Sequence, residues 1–176
     1  MVAMNKFIGR TFPYAMQLDS GIYTPIYKKL TLEVLEKHLN GDHTIGSYVI
    51  NEDDKINYIC IDIDQDETIT EPYKDPLYSL AIVVYDLFPD FDRCLEYSGR
   101  RGYHIWIFLE EPSSAKFYRE LTKSRLKRMG LRNIEIYPKQ DTLKGKKLGN
   151  LIKLPRGIHK KSGQRSIIMK EDKKKC

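Results

Sequence analysis

The chain has 176 residues, of which 41% are hydrophobic and 31% are charged, and its mean hydropathy is -0.51. A chain of this length holds enough apolar side chains for a buried core, and its composition excludes a disordered, collagen-like or low-complexity protein. Its longest apolar window, residues 80–88, is far shorter than the roughly 20 residues of a membrane-spanning helix. We therefore expect a globular protein that has no membrane contact.

Targeting and cysteine patterns favour the cytoplasm. Residues 1–10 lack the basic start, the apolar run and the small-residue cleavage site of a secretory signal. Cys60, Cys94 and Cys176 are odd in number and have no CxxC spacing, which argues against a disulfide framework and a zinc knuckle. A reducing, cytoplasmic setting is the expected location.

The charged side chains are unevenly distributed along the chain. The net charge of +6 divides into -8 over residues 1–90 and +14 over residues 91–176. Acidic residues peak at 62–67, and basic residues are dense over 123–175. Clustered carboxylates suit a divalent metal and a basic region suits an anion, so nucleotides and nucleic acids meet both requirements.

In the first part of the chain, helical spacing predicts a short helix over 32–39, with Thr31 as its N-cap. Residues 45–50 and 58–64 read as strands, and the polar turn between them predicts that they pair as a hairpin. A strong apolar stripe then predicts a helix over 75–88, which Pro89 ends.

The second part of the chain continues the alternation of strands and helices. Strands are predicted over 93–98 and 103–109, followed by a helix over 113–129 that Gly130 closes. Further strands are predicted at the positions 133–137, 151–154 and 166–169.

From residue 58 onwards, the order strand, helix, strand, strand, helix, strand is that of a split βαβ sheet, as in RNA-recognition motifs. We expect an α+β fold in which helices cover one face of an antiparallel sheet and the other face is free for ligand. We divide the chain into an N-terminal α/β unit (1–50), a core (51–170) and a basic tail (171–176). We also expect the chain to be a piece of a longer protein.

Asp62 and Asp64 form the first candidate site. Side chains alternate along a strand, so both carboxylates point to one face while Ile61 and Ile63 point to the core. Two carboxylates about 7 Å apart repel each other unless a cation lies between them, and magnesium or manganese is the usual cation. The ordinary alternative is a strand with an acidic solvent face.

A second candidate site lies in the segment from Ser98 to Trp106. Arg100 and Arg101 lie between two glycines, and His104 follows on a strand. Guanidinium groups held on a short turn suit bidentate phosphate contacts. A hairpin with exposed arginines and a core histidine is the alternative interpretation.

Two further candidate sites lie downstream. Glu135 lies between apolar strand residues and Asp141 follows six positions later, so either could complete a three-carboxylate site. Lys153 projects from a strand, and a Pro-Gly turn carries His159 among basic residues. Each of these side chains, taken singly, is more often an ordinary solvated group.

The four segments DIDQD, SGRRGYHIWIF, IEI and NLIKLPRGIHKKSG occur in this order. Together they resemble the catalytic core of the archaeo-eukaryotic primase superfamily over residues 58–163. The preceding Gly9-Arg10, Leu39-Asn40-Gly41 and Thr44-Ile45-Gly46-Ser47-Tyr48 are similar to the branch that includes primase domains of conflict systems and CRISPR-associated primase-polymerases.

The resemblance implies a template-directed nucleotidyltransferase that extends, and also initiates, strands on a DNA template and primer from dNTPs or NTPs. Two divalent ions, magnesium or manganese, would be held by Asp62, Asp64 and Glu135. The nucleotide would be bound by Ser98, Arg100, Arg101, His104, Lys153 and His159, of which all but Ser98 would contact its phosphates.

Several implications of the resemblance are less specific. The connection before Lys153 is longer than in the family, so Asp141 remains open as the third carboxylate. The basic segments 116–132 and 139–147 would follow a template backbone. CRISPR adaptation proteins are expected partners through a full-length parent.

Two other function classes fit parts of the pattern. The segment from Arg101 to Phe108 is similar to the signature of an RNA-recognition motif, which predicts a binding module without catalysis. Paired carboxylates that hold divalent ions also suit a nucleotide cyclase or a metal-dependent nuclease.

Overall fold

The computed structural model describes residues 3–145 and 148–173. Parts of the predicted basic segments, Lys146 and Lys147 and the end of the tail at residues 174–176, lie outside these residues. The described chain is a mixed α+β structure of three helices and two antiparallel sheets, which confirms the predicted fold class.

The elements follow each other in this order within the described residues. A 3₁₀ helix covers Met4–Phe7, and the α-helices are α1 (Leu32–Asn40), α2 (Pro76–Asp86) and α3 (Ala115–Arg128). The strands are β1 (Tyr14–Gln17), β2 (Tyr23–Ile26), β3 (Ile45–Tyr48), β4 (Lys55–Asp64), β5 (Asp92–Tyr97), β6 (Gly102–Ser114), β7 (Glu135–Tyr137), β8 (Leu151–Lys153) and β9 (Ile167–Asp172).

Each α-helix begins at a polar side chain that accepts a hydrogen bond from a backbone N–H of the first turn. Thr31 accepts from Val34, Asp75 accepts from Leu77, and Ser114 accepts from Phe117. These caps satisfy amide groups that have no partner within the helix. The three predicted helices are therefore present, and Thr31 has its predicted role.

The larger sheet has the strand order β7-β4-β6-β5-β9, and all its pairs are antiparallel. Its first four strands have the order of the predicted split βαβ sheet. Ile61, Ile63, Tyr103 and Ile105 are buried on one face, where the ring of Tyr78 from α2 lies 5.8 Å from the ring of Tyr103. The helices cover this face, as predicted.

The smaller sheet has the order β2-β1-β3-β8 and corrects the prediction in two respects. Strands β1 and β2 were not predicted from the sequence. The predicted hairpin between 45–50 and 58–64 is wrong, because β3 pairs with β1 and β8 instead. Strand β4 pairs instead with β6 on one edge and, over residues 60–62, with β7 on the other.

The second face of the larger sheet is not free along its whole length, contrary to expectation. The ring of Phe7 packs edge-on against Trp106 and Phe108, at centroid distances of 5.0 and 5.2 Å. Tyr58 and Trp106 are completely buried there. The aromatic half of this face is therefore core, and only its polar half faces a cavity.

His38 anchors helix α1 to two parts of the smaller sheet, strand β3 and the segment that follows β8. The Nε2 atom of His38 lies 3.0 Å from the carbonyl oxygen of Pro155, and Nδ1 accepts a hydrogen bond of 3.1 Å from the amide of Ile45. A neutral imidazole makes both bonds at once. Burial and the charge of Lys153 lower the pKa of His38 to about 4.

The division of the chain into an N-terminal unit (1–50), a core (51–170) and a basic tail (171–176) stays a prediction.

The His38 contact predicts a loss of stability in mild acid. Between pH 6.5 and 4 the unfolded chain binds a proton that the folded chain does not, so stability is complete above pH 6.5 and falls as the pH falls. From pH 7 to pH 5 this histidine should cost the wild type about 2 kcal/mol of unfolding free energy. Urea unfolding at both pH values should show that His38→Gln removes this part of the pH dependence. His43→Gln is the matched control, and an unchanged pH dependence in His38→Gln would contradict the assignment.

Candidate active site

A cavity of about 280 Å³ lies between the polar half of the larger sheet and the edge of the smaller sheet. Eight of the nine predicted site residues line it, and they come from β4, β6, β8 and two loops: Asp62, Asp64, Ser98, Arg100, Arg101, His104, Lys153 and His159. Glu135 lines a different groove. The fold therefore brings together residues that are up to 97 positions apart in the sequence.

The strand register places four polar residues in one row across the larger sheet. Glu135 lies opposite Asp62, Asp62 lies opposite His104, and His104 lies opposite Glu96. Side chains of directly opposite residues share a face of the sheet. The row thus contains three carboxylates and one imidazole on the face of the cavity.

The Asp62 carboxylate is the most unusual group of the cavity. Its side chain is 15% exposed, and its Oδ1 atom is buried without a hydrogen bond to any described residue. The Nε2 atom of His104 lies 3.7 Å from this oxygen. Burial and the charges of Asp64 and Glu135 raise the pKa of Asp62 to about 6, although His104 opposes this change. A cation placed beside such a carboxylate stabilises its charged form.

The residues present fit a divalent cation, although they do not form a complete preassembled site. Asp62 offers an unpartnered oxygen, and Asp64 shares the cavity with it. Hard divalent ions prefer such carboxylate oxygens. Among the described residues, no group of three or more His, Cys, Asp or Glu side chains is close enough to hold a metal ion.

The two candidates for the third carboxylate have different surroundings. Glu135 is a neighbour of Asp62 on the adjacent strand, but its carboxylate binds the ammonium group of Lys139 at 2.8 Å. Asp141 is ion-paired with Arg119 and does not line the cavity. Of the two, only Glu135 contributes charge that raises the pKa of Asp62.

The loop between β5 and β6 that carries the two arginines is held tightly by backbone contacts. The amide of Ser98 donates to the carbonyl of Gly102 at 2.9 Å, and Gly99 has a φ of 87° that favours glycine. A Cβ atom on Gly102 would collide with the carbonyl of Ile63 and with Asp64. The sequence Ser-Gly-Arg-Arg-Gly therefore closes this loop directly against the carboxylate strand.

The side chains of the two arginines in this loop differ in their contacts. The guanidinium of Arg101 binds the carboxylate of Asp64 at 3.0 Å. The Arg100 side chain lines the cavity and makes no hydrogen bond or ion pair with the described part of the chain. The backbone carbonyls of both residues accept hydrogen bonds from the amides of Gln65 and Ile69. Arg100 is thus available to an anion, whereas Arg101 would first have to leave Asp64.

A completely buried carboxylate, Glu96, lies behind the cavity. It accepts hydrogen bonds from His104 Nδ1 at 2.9 Å and from Trp106 Nε1 at 2.8 Å, and Lys153 Nζ lies 3.4 Å away. Burial would raise the pKa of Glu96, but the charges of Lys153 and His104 lower it to about 2. Burial would lower the pKa of His104, but the Glu96 and Asp62 carboxylates raise it.

His159 lines the cavity as a neutral imidazole. Its Nδ1 atom accepts a hydrogen bond of 3.2 Å from the amide of Lys161. Burial and the charges of Lys153 and Arg100 lower the pKa of His159 to about 4. With Nδ1 occupied as an acceptor, the proton of the neutral ring lies on Nε2, which can donate to an anion.

Six residues in or beside the cavity were absent from the predicted site: Glu96, Gln17, Tyr23, Tyr137, Leu151 and Ile152. Glu96 carried a signal, since it is a single charge within the apolar segment Cys94–Tyr97, which indicates a buried partner. Gln17 and Tyr23 also line the cavity. They lie on β1 and β2, which were not predicted, so nothing in the sequence pointed to them.

A second groove, of about 440 Å³, lies between α3 and the edge strand β7. We call it the α3–β7 groove. Its floor is apolar, and its rim carries the cations Arg119, Lys123, Lys127, Arg132 and Lys139. Glu135 also lines this groove and lies opposite Asp62, so the groove ends beside the carboxylates of the cavity.

None of the helices in the described chain has the length and apolar content needed to cross a membrane.

Comparison with known proteins identifies the family. Comparison with curated proteins gives no significant match. The family model described as "TOTE conflict system, Archaeo-Eukaryotic Primase domain" matches residues 15–176. Such a domain is of the nucleotidyltransferase type and implies nucleotide and nucleic-acid substrates. Because this match covers nearly the whole chain and includes every residue of the cavity, the chain belongs to the archaeo-eukaryotic primase domains of TOTE conflict systems.

Proposed function

We propose that this chain is a primase-polymerase that extends, and also initiates, a nucleic-acid strand from nucleoside triphosphates on a template. One observation supports this proposal above the others. A single cavity is lined both by the carboxylates of Asp62 and Asp64 and by the side chains of Arg100, Lys153 and His159. Nucleotidyl transfer needs both groups, because metal ions and cations together neutralise a triphosphate.

Asp62 and Asp64 would hold magnesium or manganese, with Glu135 as the preferred third carboxylate. When bound, two such ions activate the attacking 3′ hydroxyl and neutralise the leaving pyrophosphate. The protein's role is to hold the carboxylates of Asp62 and Asp64 on β4 and that of Glu135 on the adjacent strand β7. The Oδ1 atom of Asp62 supports this role, because it is buried without a hydrogen bond and its contact with His104 Nε2, at 3.7 Å, is too long to be one.

The triphosphate would be bound by the cationic side of the cavity. Arg100 is free to make bidentate phosphate contacts, and His159 can donate from Nε2. Arg101 would exchange its carboxylate partner, Asp64, for a phosphate. That exchange would leave the Asp64 carboxylate for the metal, so nucleotide and metal would bind together. Ser98, His104 and Lys153 complete the proposed nucleotide site.

The buried aromatic face disfavours a simple RNA-recognition module. Such modules stack bases on exposed aromatic side chains of the central strands. Here Trp106 is completely buried and Phe108 is 5% exposed, both beneath Phe7. A base could not reach these rings. Whether the substrates are dNTPs or NTPs, whether the template is DNA, and whether CRISPR proteins are partners stay predictions.

The α3–β7 groove would bind the backbone of the nucleic-acid strand. Lys127 and Arg132 have no ion-pair partner among the described residues, whereas Lys123, Lys139 and Arg119 are paired with carboxylates. The groove ends at Glu135, beside Asp62. A strand bound there would lead directly to the site of transfer.

Asp62→Asn tests the catalytic assignment. Asn keeps the size of the buried side chain but cannot replace a carboxylate ligand, so we expect template-dependent primer extension to fall about 10²–10³-fold. Extension of a labelled primer with manganese or magnesium, with dNTPs and NTPs supplied separately, measures this loss. Asp66→Asn, an exposed neighbour on the same segment, is the matched control and should retain activity.

Primer extension by Asp62→Asn at the wild-type rate would refute the assignment. Shortening of the labelled strand would indicate a nuclease, and template-independent cyclic products would indicate a cyclase.

The third carboxylate can be identified by comparing Glu135→Gln with Asp141→Asn in the same assay. We expect Glu135→Gln to reduce extension by about 10-fold or more, since Glu135 lies opposite Asp62. Asp141→Asn should have a smaller effect, because Asp141 is paired with Arg119. The reverse order of losses would assign the role to Asp141.

The strand-binding role of the α3–β7 groove predicts a change in salt dependence. Removing two phosphate contacts with Lys127→Ala/Arg132→Ala should make the slope of log affinity against log salt shallower by about 1.4 for a single strand. Fluorescence anisotropy of a labelled oligonucleotide measures this slope. Lys28→Ala/Lys29→Ala, two exposed lysines before α1, removes the same charge and is the control. Equal slopes in the two variants would exclude the groove as the strand site.

A further inference from the structure

Glu96 is a completely buried carboxylate that the proposed chemistry does not use directly. It does not line the cavity, but two residues that do, His104 and Lys153, are bound to it. These two come from different sheets, since His104 is on β6 and Lys153 is on β8. Glu96 is therefore the point at which the two halves of the proposed nucleotide site are joined.

The two carboxylate oxygens of Glu96 contact different partners. Oε2 accepts from His104 Nδ1 at 2.9 Å and from Trp106 Nε1 at 2.8 Å. Oε1 faces the ammonium group of Lys153 at 3.4 Å. Such a set of donors fixes both the position and the rotation of the carboxylate plane.

These contacts determine which atoms of the two cavity residues remain for a ligand. The Lys153 ammonium group has three donors, of which one faces Glu96 and another donates to the carbonyl of Leu154 at 3.1 Å. One donor is left for the cavity. His104 binds Glu96 through Nδ1 and so presents Nε2 towards the cavity, 3.7 Å from Asp62 Oδ1.

Stability alone is a poor explanation for this arrangement. Burying a charged pair costs desolvation energy, and replacing it with apolar residues of similar volume is often neutral or stabilising. The neighbouring positions on this face are apolar: Cys94, Trp106 and Cys60 are completely buried. An apolar side chain at position 96 would continue that core but would leave His104 and Lys153 without orientation.

We propose that Glu96 is a positioning residue for the incoming nucleoside triphosphate: it holds Lys153 and His104 so that one polar atom of each faces the phosphates. It acts through these two side chains and does not contact the nucleotide. This inference rests on the proposed function, because it takes the cavity as the triphosphate site.

The test is the equilibrium binding of magnesium–dATP and magnesium–ATP, each measured by calorimetry without template. Glu96→Gln keeps the shape and the acceptor oxygen but removes the charge that faces Lys153. We expect the dissociation constant to rise about tenfold or more, with unchanged affinity for a single-stranded oligonucleotide. Glu36→Gln, an exposed glutamate on α1, is the matched control and should bind like the wild type.

A double-mutant cycle with Lys153→Met distinguishes positioning from a structural role. Because Glu96 acts partly through Lys153, the double variant should lose less triphosphate affinity than the sum of the two single losses, so the two effects are not additive. Fully additive effects would overturn the proposal. A lower unfolding free energy of Glu96→Gln with an unchanged dissociation constant would also overturn it.

Glu96→Asp keeps the test decisive if Glu96→Gln does not fold. It retains the charge but withdraws the carboxylate by one methylene, so a positioning role predicts weaker triphosphate binding, and wild-type binding would contradict it. Wild-type protein that binds triphosphate but makes no strand would refute the polymerase proposal and leave this inference standing. Wild-type protein that binds triphosphate no better than Glu96→Gln would refute the inference itself.

Discussion

The structure depends on one row of charged residues across the larger sheet. Glu135, Asp62, His104 and Glu96 lie opposite one another on four adjacent strands. Three carboxylates in a row repel each other unless positive charge is interposed. The His104 imidazole lies between Glu96 and Asp62, and the Lys153 ammonium group faces Glu96 from the smaller sheet. On the Asp62 side the compensation is incomplete, and this is where the proposed metal would bind.

The same face of the sheet serves as core at one end and as a site at the other. At the apolar end, Phe7 covers Trp106, which is completely buried. At the polar end, β8 approaches but leaves a cavity of about 280 Å³. The two ends are coupled through Trp106, because its indole N–H donates to the buried carboxylate of Glu96. The packing of the core thus contributes to the orientation of the cavity residues.

The sequence predicted the elements whose signals are local. The apolar stripe of α2 and the cap at Thr31 depend only on residues that are close together in the sequence. The pairing of β3 could not be predicted in this way. A polar turn between two strands favours a hairpin, but it does not show that β6 and β7 occupy the edges of β4. Strand pairing is decided by competition between distant segments, which a local pattern does not contain.

The sequence by itself determined the split βαβ order of the core, the family resemblance and eight of the residues that line the cavity. It could do so because those residues lie in short motifs whose spacing is set by strands and tight turns. Only the tertiary structure decided that Glu96 binds both His104 and Lys153, and that Glu135 rather than Asp141 lies opposite Asp62. The physical reason is that cross-strand register and burial fix which charges meet, and both arise only when the two sheets pack together.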